Sequence, residues 1–174
     1  MADSNLLTVE LVTPERILLT GVATEVVLRT ADGDVTFLSG HTPLIGSVEP
    51  GVVRVGREEG EVDRIAVHGG FVQVEPVADG GSSDAGGGTR VTLLAGIAEL
   101  AGEIDVERAQ VALEAAEALV AELAGTPASG TAPGSGEGAE VNLELVEAEA
   151  AVRRAQVRIE ATDASLATGP TTTV

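Results

Sequence analysis

The chain has 174 residues, 44% of them hydrophobic, and a formal net charge of −18, with neither cysteine nor lysine. That length holds one ordinary domain or two small ones with a real core. The acidity repels nucleic acid and anionic lipid surfaces, and the lack of thiols excludes disulfides and thiolate metal sites.

Only Phe37 and Phe71 are aromatic, so the core must be aliphatic. The opening residues Met1-Ala2-Asp3-Ser4-Asn5 lack the basic region of a signal peptide. No apolar run reaches the ~18 residues that a membrane span needs; the longest, residues 17–28, is interrupted by Gly21 and Glu25. No direct membrane insertion is therefore expected, and any role at a membrane would pass through other proteins.

Residues 5–98 read as strands. Leu7, Val9 and Leu11 alternate with Thr8, Glu10 and Val12, and residues 22–29 form one β-branched run. Residues 33–45 read as strand, tight turn, strand: Gly33-Asp34 opens the segment, Ser39-Gly40-His41-Thr42-Pro43 breaks it, and Leu44-Ile45 resumes it. Phe37 and Leu38 are expected to fill the core. Further strands fall at 52–55, 62–67, 71–75 and 89–94, punctuated by Glu49-Pro50-Gly51 and Gly69-Gly70. Short strands at this spacing indicate a sandwich or barrel. Residues 79–88 are a Gly/Ser-rich loop without the Lys-Ser/Thr ending of a phosphate-binding loop.

After Gly96 the apolar period changes from two to that of a helix. Val106, Ala109, Leu113, Ala116, Val120 and Leu123 make one narrow seam. Asp105 is placed to cap it, with Ile104 and Ala109 at the positions of a hydrophobic staple. Gly125 and Thr126-Pro127 end it, and 126–138 is a Gly/Ser/Pro-rich linker. Val141, Leu145, Ala148, Val152, Ala155 and Ile159 form a matched second seam, stopping before Gly169-Pro170. Two such helices predict an antiparallel hairpin. One Ala-rich seam buries little surface, so the hairpin must dock on the β domain, on another protein, or on both in turn.

Catalytic chemistry is poorly supported. His41 and His68 give no metal-ligand spacing. Ser39-Gly40-His41 lacks a nucleophile elbow, and residues so close in sequence rarely face each other as nucleophile and base. His68 reads as a satisfied loop histidine. The second half concentrates its cations in Arg153, Arg154 and Arg158. These make either a solvated face with local pairs, such as Glu149 with Arg153, or a contact for an acidic partner or a phosphate.

Residues 33–45 (GDVTFLSGHTPLI) resemble the Gly-Glu-hydrophobic-Gly-x-x-Pro-Gly-His-x-Pro-Leu segment of the epsilon subunits of F-type, proton-translocating ATP synthases. The likeness continues, in order, at residues 48–55, 67–74, 91–94 and 104–109. It spans about residues 5–160 apart from two insertions, at 79–88 and 126–138.

This resemblance implies a ten-stranded flattened β-sandwich (1–98) followed by a C-terminal antiparallel two-helix hairpin (99–165); the last residues, 166–174, are expected to form a frayed tail. It implies a non-catalytic rotor subunit of the central stalk, bound to the gamma subunit and resting on the ring of c subunits. Such a subunit couples proton flow to ATP synthesis, peripherally on the cytoplasmic side of the cell membrane. Asp32 and Asp34 match the acidic turn that faces the ring. The C-terminal helices can extend toward catalytic beta subunits and inhibit hydrolysis, for which Arg153, Arg154 and Arg158 are the basic residues available.

Some members of the family bind ATP as a regulatory ligand between the folded-down helices and the sandwich. Their Ile/Leu-Asp-x-x-Arg-Ala motif is matched by Ile104, Asp105, Arg108 and Ala109. Glu99 stands where an acidic residue of that site would be, and Arg154 and Arg158 match a later arginine pair. An arginine expected in the middle of the first helix is absent. Helix capping and a local pair of Arg108 account for the same motif without a nucleotide. The alternative function is therefore an ATP-sensing regulatory module; no other cofactor is implied.

Overall fold

The computed structural model describes residues 6–77, 88–125 and 143–163. The linker 126–138, the tail 166–174 and all of the loop 79–88 except Gly88 lie outside them. Ten strands come first: β1 (Leu7–Val12), β2 (Ile17–Ala23), β3 (Glu25–Thr30), β4 (Gly33–Phe37), β5 (Leu44–Val48), β6 (Gly51–Gly56), β7 (Val62–Val67), β8 (Gly70–Val77), β9 (Gly88–Ala95) and β10 (Ala98–Leu100). A 3-10 turn, Ala101–Glu103, leads to two helices, α1 (Val106–Gly125) and α2 (Leu143–Thr162).

The strands make two five-stranded sheets, ordered β2-β1-β9-β8-β5 and β10-β7-β6-β3-β4. Only β1 and β9 run parallel; the other neighbours are antiparallel. Alternation places one face of each sheet inward. Leu7, Val9, Leu11, Val72, Val74, Val91 and Leu93 from the first sheet meet Val26, Leu28, Phe37, Val53, Val55, Ile65 and Val67 from the second. This is the aliphatic core that the composition demanded, with Phe37 its one aromatic.

The single run expected at 22–29 is instead two strands, divided at Thr24. β2 belongs to the first sheet and β3 to the second, and the Thr24 N–H donates to Gly56 O at 2.9 Å as the chain crosses between them. Composition gives no sign of the crossing, because both halves are β-branched and half-buried. β10 pairs with β7 and carries the second sheet to Leu100, past the expected end at 98.

The strand–turn–strand reading of 33–45 holds for β4 and β5. Gly40 has φ +84°, and its N–H donates to the buried Thr89 hydroxyl at 2.7 Å, which ties the turn to β9. Leu38 is 50% exposed, contrary to expectation. Phe37 completes the inward alternation of β4, and the next residue turns out to solvent. At Gly70 a methyl group would fall onto the Leu94 carbonyl, so only glycine lets β8 approach β9 there.

α1 begins as read: the Arg108 N–H donates to Asp105 Oδ1 at 3.0 Å, the N-cap bond. Ala109 and Ala116 of the first seam and Ala148 and Ala155 of the second are buried between the helices, which lie against each other. Val106, at the start of the first seam, stays 37% exposed. α2 also carries a second buried face. Val157 and Ala161 pack on Ala66 of β7, with Val52, Ala101 and Ile104 around them.

Candidate functional site

The register explains where α2 sits. Val52, Ala66 and Glu99 are aligned across β6, β7 and β10, on the outward face of the second sheet. Ala66 faces outward from the sandwich yet has no exposed surface, because α2 covers it. Small Ala66 and Ala161 permit close approach, and Glu99 at the end of the row meets Arg158 one helical turn earlier.

That meeting is the polar centre of the molecule. Glu99 Oε1 accepts from Arg158 Nε at 2.8 Å and from Nη2 at 2.5 Å. These hydrogen bonds hold the Glu99 carboxyl below the usual carboxylate range. A second tie lies at the far end of α2, where Arg64 of β7 donates to the Asp163 carbonyl. A guanidinium there also suits the negative end of the helix dipole.

A cavity of about 330 Å³ opens beside the Glu99–Arg158 pair, lined by Glu99, Glu103, Ile104, Asp105, Arg108, Ala109, Ala112 and Arg158. Six of the seven residues singled out for nucleotide binding thus share one cavity although they come from β10, the start of α1 and the end of α2. Arg154 is the exception: it pairs with Glu147 at 2.7 Å and does not line the cavity. Two of the three lining carboxylates are engaged by guanidiniums, Glu99 by Arg158 and Glu103 by Arg16 at 2.9 Å. The third, Asp105, accepts the capping bond. Arg108 is exposed and has no ion pair among the described residues, so the local pair expected for it does not form.

Sequence reasoning missed two members of this neighbourhood. Glu103 gave no signal, being one acid among many. His68, read as a satisfied loop histidine, has a side chain only 4% exposed, and neither ring nitrogen has a hydrogen-bond partner among the described residues. Its Nε2 stands 3.8 Å from Glu99 Oε1. Burial pushes the imidazole below its usual 6.5, and the nearby Arg158 adds to the effect. The pattern His68-Gly69-Gly70 pointed to a turn, which it is, but nothing local told that arginines of a helix from the other end of the chain would act on it.

The remaining candidates lie elsewhere. Arg153 is exposed, and the Glu149–Arg153 pair does not form; the local pair on that helix is Glu147–Arg154. Arg153, Arg154 and Arg158 therefore do not act as one free basic patch in this conformation. Asp32 and Asp34 sit at the β3–β4 hairpin. Asp32 is exposed, whereas Asp34 is bound by Arg29 at 2.8 Å, and that hydrogen bond lowers its pKa. His41 places its ring edge-on to Phe37, with centroids 4.9 Å apart, and has no catalytic partner among the described residues.

The outward face of the first sheet carries another feature. Ile17, Val12, Leu94 and Phe71 are aligned across β2, β1, β9 and β8. Ile17, Leu94 and Phe71 are at least half exposed, and Ile45 beside them is 77% exposed. The helices cover the opposite sheet, so this apolar row is open. Among the described residues no helix is long and apolar enough to cross a membrane.

Comparison with known proteins agrees with the architecture. Residues 6–78 match the family described as ATP synthase, Delta/Epsilon chain, beta-sandwich domain. The ATP synthase epsilon chain of Thermobifida fusca is 51% identical over 120 residues, covering 67% of this chain and 79% of that one. That of Symbiobacterium thermophilum is 35% identical over 165 residues, covering 94% and 96%. The fold resembles a chain in the structure of the Euglena gracilis mitochondrial ATP synthase, OSCP/F1/c-ring, with TM-score 0.66 and 21% identity over 94% of this chain and 84% of that one. With long relatives spanning both the sandwich and the helices, the chain belongs to the ATP synthase epsilon chain family.

Proposed function

We infer that the chain is a non-catalytic central-stalk subunit of an F-type ATP synthase, turning with the rotor and coupling proton flow to ATP synthesis. It works as two domains, a sandwich and an antiparallel helical hairpin joined at the 3-10 turn. The antiparallel reading is supported by shared surroundings: Arg108 near the start of α1 lines a cavity with Arg158 near the end of α2, while Glu117 and Val120 share a groove with Glu149 and Val152.

The observation that carries the reading is the open apolar row Ile17–Val12–Leu94–Phe71 on a sheet face opposite the helices. Exposed apolar rows of this kind mark protein–protein contacts, and the proposed occupant is the gamma subunit. Asp32, which has no ion pair among the described residues, is the better candidate for the c-ring contact; Asp34 must first leave Arg29. Held between these two partners, the chain is a peripheral subunit on the cytoplasmic side of the membrane. Contact of Arg153, Arg154 and Arg158 with catalytic beta subunits requires α2 to leave the sandwich, since Arg158 is bound to Glu99. The reading is tested by recovering the partners from solubilised membranes, as set out in the Discussion.

A second reading concerns the cavity at Glu99 and is favoured by the convergence of six sequence candidates on it. Its volume lies within the ~300–1,000 Å³ of small-molecule sites. Arg108 offers a guanidinium with no ion pair for a phosphate, while Glu99, Glu103 and Asp105 supply acceptors for hydroxyl or amino groups. We propose regulatory binding of ATP here. Calorimetry on the isolated chain should give a binding isotherm with millimolar ATP that Arg108→Ala abolishes. Absence of heat from the unaltered chain would remove this reading and leave the rotor function untouched.

A further inference from the structure

His68 is a buried, titratable group that neither reading uses. It lies two positions after Ala66, the residue on which Val157 and Ala161 of α2 rest. Its ring is enclosed, its two nitrogens have no hydrogen-bond partner among the described residues, and its Nε2 stands 3.8 Å from the oxygen by which Glu99 holds Arg158. An unpaired imidazole beside one of the two polar ties between helix and sheet is costly to keep, since buried polar groups are normally satisfied.

We propose that His68 makes the seating of α2 on the sandwich responsive to protons, so that protonation of its ring loosens the helix.

The charges around the ring decide the direction. Arg158 and Arg154 of α2 oppose a charge on His68, and Glu99 of β10 favours one. Arg108 of α1 acts on Glu99. Arg64 of β7 is turned away to the Asp163 carbonyl. Glu99 Oε1 is already held by Arg158, so an imidazolium would compete for that oxygen rather than find a free one. Burial together with the two arginines outweighs the attraction, and the ring stays neutral while the helix is seated. When α2 lifts away, Arg154 and Arg158 depart and Glu99 becomes available. The freed state therefore binds the proton more tightly than the seated state.

The sign follows from linkage. Well above the ordinary histidine value of 6.5 the ring is neutral in both states and seating is independent of this group. As pH falls below it, the freed state takes up a proton that the seated state refuses, and seating weakens by up to about tenfold per pH unit. The effect ends once the seated ring is itself protonated. Nucleotide is not required, so the inference does not rest on ATP binding.

The full chain without nucleotide provides the test. Because it has no cysteine, Glu58→Cys and Gln156→Cys give two unique attachment points for spin labels, one on the sandwich and one on the exposed side of α2. The freed population should rise several-fold between pH 8 and pH 5.5, and His68→Asn should remove that rise while leaving α2 seated at pH 8. An unchanged distance distribution in the parent, or the same rise in His68→Asn, overturns the proposal. If His68→Asn fails to seat α2 at all, the imidazole titration of the parent decides, with His41→Asn to assign the signals. A titration below 6.5 that moves upward in Arg158→Gln supports the proposal, and one at or above 6.5 with α2 seated refutes it.

Discussion

Glu99 Oε1 accepts two hydrogen bonds from Arg158 and faces the buried His68 ring, so one carboxylate oxygen joins β10, α2 and the turn before β8. The pair is partly exposed, and solvent screening limits it to about 1 kcal/mol. Glu99→Gln should lower the protection of α2 amides from hydrogen exchange by a corresponding several-fold, while leaving strand amides unchanged. The pH dependence has a definite sign. The Glu99 carboxyl is held below its usual 4.5, so its contribution is complete above that value and lost as pH falls through the lowered one. In Glu99→Gln this acid limb should be absent. Equal exchange in parent and variant would show that Arg158 does not hold the helix.

Among the elements, α2 matters most because it has two buried faces. Ala148 and Ala155 meet α1, and their seam was legible as a helical period in helices rich in alanine and glutamate. The other face, Val157 and Ala161 on Ala66, was not legible. Its residues are small, and nothing in the run 155–162 separates a surface alanine from one beneath which a strand passes. The same blindness hid the surroundings of His68, whose electrostatic neighbours Arg154 and Arg158 come from the last helix. Strands declared themselves by alternation and turn residues, but the crossing at Thr24 did not, because both sheets take the same β-branched residues. The candidate cavity was legible in part: its members had been named from a motif, whereas their convergence depends on how α2 is seated. Ala161→Leu should overfill that contact at a cost of about 1–3 kcal/mol, freeing α2 with the sandwich still folded. Loss of α2 protection with retained strand protection would confirm this; unchanged protection would mean that the contact is not tight.

At the scale of the whole molecule the sandwich divides its two outer faces between different tasks. One holds the chain's own helix through small residues and two arginine ties. The other leaves Ile17, Leu94, Phe71 and Ile45 open for the proposed partner, and the acidic hairpin at Asp32 lies at the end of the second sheet. On the proposed reading this division makes the sandwich the fixed part of the subunit and the helical part the one that would leave. The central claim, that this is a stalk subunit held through the open sheet face, is tested most directly by affinity purification of the tagged chain from detergent-solubilised membranes of cells expressing it. The gamma subunit should be recovered with it, together with the c ring under mild conditions, and Phe71→Glu should abolish that recovery with the sandwich still folded. Recovery of the unaltered chain free of every ATP synthase subunit would contradict the account.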